Sequence, residues 1–174
     1  LISTPRKVEI RGNFFSTQMA SIRVTGDLEL WNESGPSKGL IIENNVFENC
    51  IYGVSGPQSI IMIDPQYPSG SNIFKNYYSS NIIIRENKIR TFDSSILSAV
   101  SVDGLVFERN TIEQTNKFKP LFPNQPNLNI INCDNVVIEN NTYKSLTGKK
   151  GTIKIDGKTK NIILNKNDQF IKQN

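Results

Sequence analysis

One short pattern of apolar and polar positions recurs along the chain. Each copy alternates apolar residues, continues with two polar residues and an Asn, and places a large apolar residue two positions after that Asn. The sixth copy is the least regular. The aligned residues are Asn13, Asn45, Asn87, Asn110, Asn141 and Asn167, separated by 32, 42, 23, 31 and 26 residues. A strand-like unit that repeats at this length and varies by insertion is typical of a coiled, stacked architecture.

The pattern predicts an all-β fold, a right-handed single-stranded parallel β-helix of about six coils. The alternating segment forms a first strand, apolar side inward. The Asn closes a turn in the left-handed conformation, and successive Asn side chains stack and pair through their amides. β-Branched residues favour a second strand in each coil. The predicted second strands cover residues 20–24, 59–63, 95–100, 128–131 and 152–155.

Length and composition are consistent with one domain. The chain of 174 residues is 37% hydrophobic and 21% charged, and no apolar run approaches the roughly 20 residues that span a bilayer. The sequence opens almost directly on a repeat, without a signal peptide. We therefore expect residues 1–174 to be a single β-helix domain and a fragment of a longer protein, whose N-terminal coils pack against it.

Charge and side-chain chemistry narrow the function. The net charge is +4, but the basic residues are scattered, which argues against nucleic-acid binding. Cys50 and Cys133 occupy different places in the repeat, so we expect buried thiols rather than a disulfide. The chain has no histidine. This excludes Ser-His-Asp catalysis and His-based metal sites within it, and leaves carboxylates, Lys, Arg or Tyr.

The insertions distinguish the coils. Between the second strand and the next first strand, two coils carry long excursions at residues 25–39 and 64–81, whereas later coils have only residues 101–104 and 132–135. Another long segment, residues 113–127, lies on the opposite side of its Asn. Function on a solenoid usually resides in such excursions.

The first two excursions carry the candidate chemistry. Asp27 and Asp64 leave equivalent strand ends one rung apart, and the chain's only Trp follows at position 31. Aromatic rings stack on the apolar faces of sugars, and a pair of carboxyl groups can hydrolyse a glycosidic bond. The hypothesis is a glycan site, with no cofactor and an extracellular or periplasmic location. The predicted catalytic residues are Asp27 and Glu33, and the predicted substrate-binding residues are Trp31, Asn32, Asp64 and Tyr67.

Other interpretations stay open. Exposed loops are commonly acidic, so the domain could be a non-catalytic scaffold or carbohydrate-binding module. Asp27, Glu33 and Asp64 could instead hold calcium, which prefers hard oxygen ligands. A calcium-dependent polysaccharide lyase would also need a base, for which Lys38 and Arg23 are the nearest candidates.

Residues 1–49 resemble glycoside hydrolase family 110, the bacterial exo-α-galactosidases that act on α-1,3-linked galactose. Three stretches carry the resemblance, residues 3–13, 26–35 and 41–49. The middle one is the most specific, with Gly26-Asp27 followed by Trp31-Asn32-Glu33-Ser34-Gly35, although Asn32 stands where the family has an aromatic residue. Beyond Pro68 only the repeat itself persists.

The resemblance implies inverting hydrolysis of terminal α-galactosides on a parallel β-helix. It places Asp27 and Glu33 in a sugar-site segment. It also implies that some essential acids lie on coils N-terminal to this chain, in which case the chain by itself is inactive.

Overall fold

The computed structural model describes residues 7–26, 28, 35–53, 55–56, 58–68 and 76–173. All regular secondary structure in these ranges is β-strand, arranged in three parallel sheets. Each of the first five coils contributes one strand to each sheet in turn, and the sixth contributes strands to two of the three sheets. The prediction of a parallel β-helix of about six coils is confirmed.

Sheet 1 contains the first strand of every coil: β1 (Val8–Arg11), β4 (Lys38–Glu43), β7 (Ser79–Arg85), β10 (Val102–Glu108), β13 (Asp134–Glu139) and β16 (Ile162–Asn165). Sheet 2 contains the strand that follows the repeat Asn in each of the first five coils: β2 (Phe14–Phe15), β5 (Val46–Glu48), β8 (Lys88–Thr91), β11 (Thr111–Gln114) and β14 (Thr142–Lys144). Sheet 3 holds the second strand of each coil: β3 (Ile22–Val24), β6 (Ile61–Ile63), β9 (Leu97–Val100), β12 (Leu128–Ile131), β15 (Gly151–Ile155) and β17 (Phe170–Gln173). The first three are two residues shorter than predicted, β12 has the predicted bounds, β15 begins one residue earlier, and β17 was not predicted.

The core runs along the axis of the coil. The residue two after the repeat Asn points inward as predicted: Phe47, Ile89 and Ile112 are fully buried, and Phe15 packs at the first coil. Fully burying such a side chain contributes about 1.5–3 kcal/mol. Cys50 and Cys133 are free and buried in this core, and burial raises the pKa of Cys133 to about 11.

Sheet 1 departs from the expected pattern of apolar inside and polar outside. Ile41, Ile83, Val106 and Val137 pair in register at the centre of its outward face, and all four are half-buried. These strands therefore read as continuous apolar runs rather than as a clean alternation. Flanking ion pairs, such as Arg85 Nε to Glu43 Oε2 at 2.7 Å, border this strip.

The six repeat Asn residues form a continuous ladder, as predicted. Asn45 Nδ2 donates to Asn87 Oδ1 at 3.1 Å, and Asn87 Nδ2 donates to Asn110 Oδ1 at 3.0 Å. Asn13, Asn141 and Asn167 extend the same chain of amides. From Asn45 onward, each Oδ1 in the ladder also accepts the backbone N–H of the preceding coil's Asn, so the ladder joins side chain and main chain between coils.

The left-handed turn residue is not the Asn that the sequence indicated. It is the residue immediately before it, with φ of 54° at Asn44, 56° at Glu86 and 51° at Arg109. The ladder Asn therefore keeps an ordinary backbone, and its amide is free to reach the next coil. No helix in the described ranges is long and apolar enough to cross a membrane.

Candidate functional site

The long excursions lie at one corner of the coil, where sheet 3 passes to sheet 1. We call this the loop corner: it comprises residues 25–37, residues 64–78, Ser101, residues 132–133 and residues 156–161. The third coil needs only one residue here, because Ser101 turns in the left-handed region with φ of 61°. The first two coils therefore carry their long insertions at a corner that the third coil closes with a single residue.

The two long excursions begin side by side. Val24 pairs with Ile63 in register, and the N–H of Asp64 donates to Val24 O at 2.8 Å. Beyond the strands, the N–H of Leu28 donates to Pro65 O at 3.4 Å. The described starts of the two excursions thus form one continuous wall, and the adjacency of the two strand ends agrees with the repeat alignment. That this wall belongs to a sugar site stays a prediction.

Four of the predicted site residues, Asp27, Trp31, Asn32 and Glu33, lie outside the described residues. Their participation in a site stays a prediction. Gly26 and Leu28, which bracket Asp27, do lie at the loop corner.

Asp64 has a local task in its loop. Its Oδ1 accepts the backbone N–H of Gln66 at 3.0 Å, which closes a turn directly after β6. Gln66 itself has a left-handed backbone, with φ of 51°, and its Oε1 accepts the hydroxyl of Thr25 at 3.1 Å. Asp64 therefore fixes the direction of the second excursion and also ties it to the first.

Tyr67 packs with Tyr78 at the base of the same loop. The two ring centroids are 6.2 Å apart at an interplanar angle of 81°, and the hydroxyl of Tyr67 lies 2.9 Å from that of the buried Ser101. Burial raises the pKa of both phenols. The ring of Tyr78 also lies against Gly26, where a Cβ atom would collide with it. These contacts hold Tyr67 and Tyr78, which lie near the two ends of the second excursion, against the short turn of the third coil.

Sequence reasoning missed two carboxylates beside this wall. Asp103 and Asp134 occupy equivalent positions on β10 and β13 and pair in register, so they lie one rung apart, roughly 4.8 Å. Each accepts a side-chain amide from the following coil: Asn135 Nδ2 to Asp103 Oδ1 at 2.7 Å, and Asn161 Nδ2 to Asp134 Oδ1 at 2.8 Å. Extending the repeat alignment two residues before Leu105 and Val136 would have found them.

A tyrosine from the second excursion reaches this pair. The hydroxyl of Tyr77 donates to Asp134 Oδ2 at 3.1 Å. Loss of solvent acts to raise the pKa of Asp134, but the hydrogen bonds that it accepts outweigh this effect and lower the pKa below its usual value. Loss of solvent and the Asp134 carboxylate raise the pKa of Tyr77. The contact therefore joins a neutral phenol to an ionised carboxylate at neutral pH.

The remaining candidates for metal or base chemistry are not brought together. Within the described part of the chain, no group of three acidic, His or Cys side chains is placed to hold a metal. Two of the three possible calcium ligands, Asp27 and Glu33, lie outside that part, so the calcium interpretation stays untested. Arg23 points outward from sheet 3, paired with Met62, whereas Lys38 begins a strand of sheet 1.

Comparison with known proteins identifies similarity to bacterial α-1,3-galactosidases. No family model matches the chain. It is 37% identical over 153 residues to α-1,3-galactosidase A of Bacteroides fragilis, which is 86% of this chain and 25% of that protein. It is also 37% identical over 145 residues to α-1,3-galactosidase B of Bacteroides thetaiotaomicron, covering 81% of this chain and 23% of that protein.

The chain thus spans about a quarter of the length of these relatives. The similarity necessarily extends far beyond Pro68, where the sequence motifs alone indicated that it ended. The shared features therefore include the coils that carry Asp103 and Asp134 as well as the first excursion.

Proposed function

Because the chain is similar over most of its length to a region of the α-1,3-galactosidases, we propose that it forms part of the β-helix of a glycoside hydrolase that removes terminal α-1,3-linked galactose. In this proposal the loop corner supplies one wall of the galactose site. Asp27, Trp31, Asn32 and Glu33 contribute from the first excursion, and Asp64 and Tyr67 from the second.

The observation that carries the proposal is the junction between the two excursions. The hydrogen bond from Leu28 to Pro65 and the one from Thr25 to Gln66 hold both loops at one corner. A rigid wall is what a sugar site requires, since positioning of the substrate supplies much of the rate enhancement. The turn at Asp64 and the packing of Tyr67 serve this rigidity directly.

The proposed reaction inverts the anomeric centre. One carboxylic acid protonates the leaving oxygen while a carboxylate on the opposite side of the ring activates water, with the two groups roughly 6.5–9.5 Å apart. Asp27 and Glu33 are the candidates from this chain, acting with acids on other coils of the complete enzyme. Neither Asp64 nor Asp134 suits this task as well, because each already accepts hydrogen bonds that support its loop.

The experiment is hydrolysis of an α-1,3-linked galactobiose by the natural full-length protein. We expect release of galactose with the β-anomer appearing first in an NMR time course. Glu33→Gln and Trp31→Ala are each expected to lower turnover by orders of magnitude, whereas Lys154→Met, on the outward face of sheet 3, serves as the control. Unchanged turnover in both site variants would remove these residues from the site.

A second function is favoured by one specific observation. The carboxylates that the structure describes at the loop corner and beside it each accept at least one hydrogen bond, which suits a rigid binding surface better than an acid and base. A non-catalytic carbohydrate-binding β-helix would retain galactose binding without hydrolysis in the full-length protein. Binding without turnover would therefore favour this alternative.

A further inference from the structure

A shallow depression lies on the sheet 1 side of the loop corner. Its volume is about 290 Å³, and Lys38, Tyr77, Tyr78, Ser80 and Asp103 are among the residues that line it. At roughly 30 Å³ for each water molecule, this space is equivalent to about ten waters. That is comparable to the number of non-hydrogen atoms in one hexopyranose.

The floor of the depression is a register column of sheet 1. Lys38 pairs with Ser80, and Ser80 pairs with Asp103, so the cation and the carboxylate stand two rungs apart, roughly 9.5 Å between Cα atoms. A left-handed residue follows each position of this column: Gly39 at φ 90°, Asn81 at 54° and Gly104 at 77°. Because of these left-handed residues, the side chains of the column point outward, although the residue directly after each left-handed residue points into the core.

Both charged groups at the ends of the column have unused hydrogen-bonding capacity. Lys38 is exposed and forms no ion pair with any described residue. Asp103 accepts the Asn135 amide at Oδ1, and its Oδ2 has no hydrogen-bond partner in the described ranges. A ligand with hydroxyl groups at both ends would donate to the carboxylate and accept from the ammonium.

Tyr77 provides a fixed aromatic side. Its hydroxyl is held by Asp134 Oδ2, so the half-buried ring is oriented before any ligand arrives. An anchored ring loses little conformational freedom on binding, and it presents an apolar face to the C–H groups of a sugar. Asp134 acts here as a positioning residue for Tyr77.

The charges around the depression select a neutral ligand. Lys38 lies on the same register column as Asp103 and Asp134. Lys160 has the corresponding position in the next coil when the pairing of Val136 with Ile162 is extended by two residues, so the formal charges of these four groups cancel. The carboxylate of a uronate would be attracted by Lys38. It would be repelled by the carboxylates of Asp103 and Asp134, which lie one and two positions beyond Ser80 on the column. A neutral sugar meets no such repulsion.

We propose that this depression is a binding subsite for one neutral hexopyranose ring of the glycan substrate, with Tyr77 as its stacking platform and Lys38 and Asp103 as its hydroxyl partners. The proposal rests on the proposed function for the choice of a glycan as ligand. It adds a subsite on the sheet 1 side of the wall and includes Tyr77 and Asp103, which were not among the site residues predicted from the sequence.

The test is a galactose titration of the 174-residue chain followed by ¹H–¹⁵N NMR. We expect saturable shifts of the amides of Ser80 and Asp103, with a dissociation constant on the order of 1–10 mM. Tyr77→Ala should weaken binding about tenfold or more, whereas Tyr77→Phe keeps the ring and should weaken it by about threefold or less. Tyr52→Ala, which removes an exposed tyrosine at another corner, should change nothing.

A further variant and a second ligand distinguish the ways in which the proposal could fail. Asp103→Asn should weaken galactose binding several-fold, and galacturonate should bind about tenfold more weakly than galactose. Retained spectral dispersion shows that each variant is folded. Absent shifts at Ser80 and Asp103, equal effects of Tyr77→Ala and Tyr52→Ala, or equal affinity for galacturonate would overturn the subsite. If full-length protein then still hydrolyses α-1,3-galactosides, the proposed function stands without it.

Discussion

Removal of one central rung of the Asn ladder should be costly. The Asn110 side chain is 1% exposed. Its Oδ1 accepts both the backbone N–H and the Nδ2 of Asn87 at 3.0 Å. Its Nδ2 donates to Ile84 O at 3.0 Å and to Asn141 Oδ1 at 3.1 Å. Asn110→Ala removes these four hydrogen bonds and leaves the buried N–H of Asn87 without its acceptor.

At about 1 kcal/mol for each hydrogen bond, we expect a loss of about 4 kcal/mol in the free energy of unfolding. The matched control is Asn13→Ala at the first coil. There the side chain donates only to Arg11 O and Asn45 Oδ1, and water can replace it. We expect this change to cost less than about 1 kcal/mol.

The assay is urea denaturation followed by far-UV circular dichroism, with the free energy taken from the midpoint at constant slope. Coincident transitions by tryptophan fluorescence should check that the coils unfold together, because a solenoid can lose cooperativity. A loss below about 1 kcal/mol for Asn110→Ala, or equal losses for the two variants, would refute the idea that the ladder holds the coils together.

Two further predictions concern the loop corner. Gly26→Ala would place a Cβ against the ring and hydroxyl of Tyr78, so we expect a loss of about 1–3 kcal/mol. Gly35→Ala, whose Cβ would meet no neighbouring atom, should have little effect in the same thermal melts. Asp156 accepts hydrogen bonds that, against its loss of solvent, hold its pKa below the ordinary 3.8. Its stabilising effect is therefore present above about pH 4 and is lost as the pH falls through the folded-state pKa. Asp156→Asn should flatten the dependence of the melting temperature on pH between about pH 5 and 3, and an unchanged dependence would contradict this assignment.

The repeat predicted the fold because its period and its inward positions are set by the same geometry. Asn87 and Phe47, for example, follow directly from aligned copies of the pattern. Asn87 joins the amide ladder and Phe47 is buried, both as expected. The left-handed turn position could not be assigned in this way. Glu86 and Arg109 occupy it, and neither residue type signals that conformation.

The candidate site was predictable only where it follows the repeat. Residues 25 and 64 are adjacent because the strands before them pair in register, and aligned copies of the repeat predict that register. The contact of Tyr77 with Asp134 depends on how an irregular loop of the second coil folds across two later coils, and no periodic signal specifies that path. Asp103 stood at an alignable position, but an outward acid on a strand has no distinguishing pattern of its own.

If the two neighbouring excursions form one sugar-binding wall, galactose should alter the environment of Trp31, the single Trp of the chain. Trp31 fluorescence should be measured during a galactose titration of the 174-residue chain and of Asp64→Asn, which retains an acceptor for the Gln66 N–H. We expect a saturable change of fluorescence in the native protein, and we expect the variant to need several-fold more galactose for the same change. A Trp31 signal that does not respond to galactose, or one that responds equally in both proteins, would contradict it.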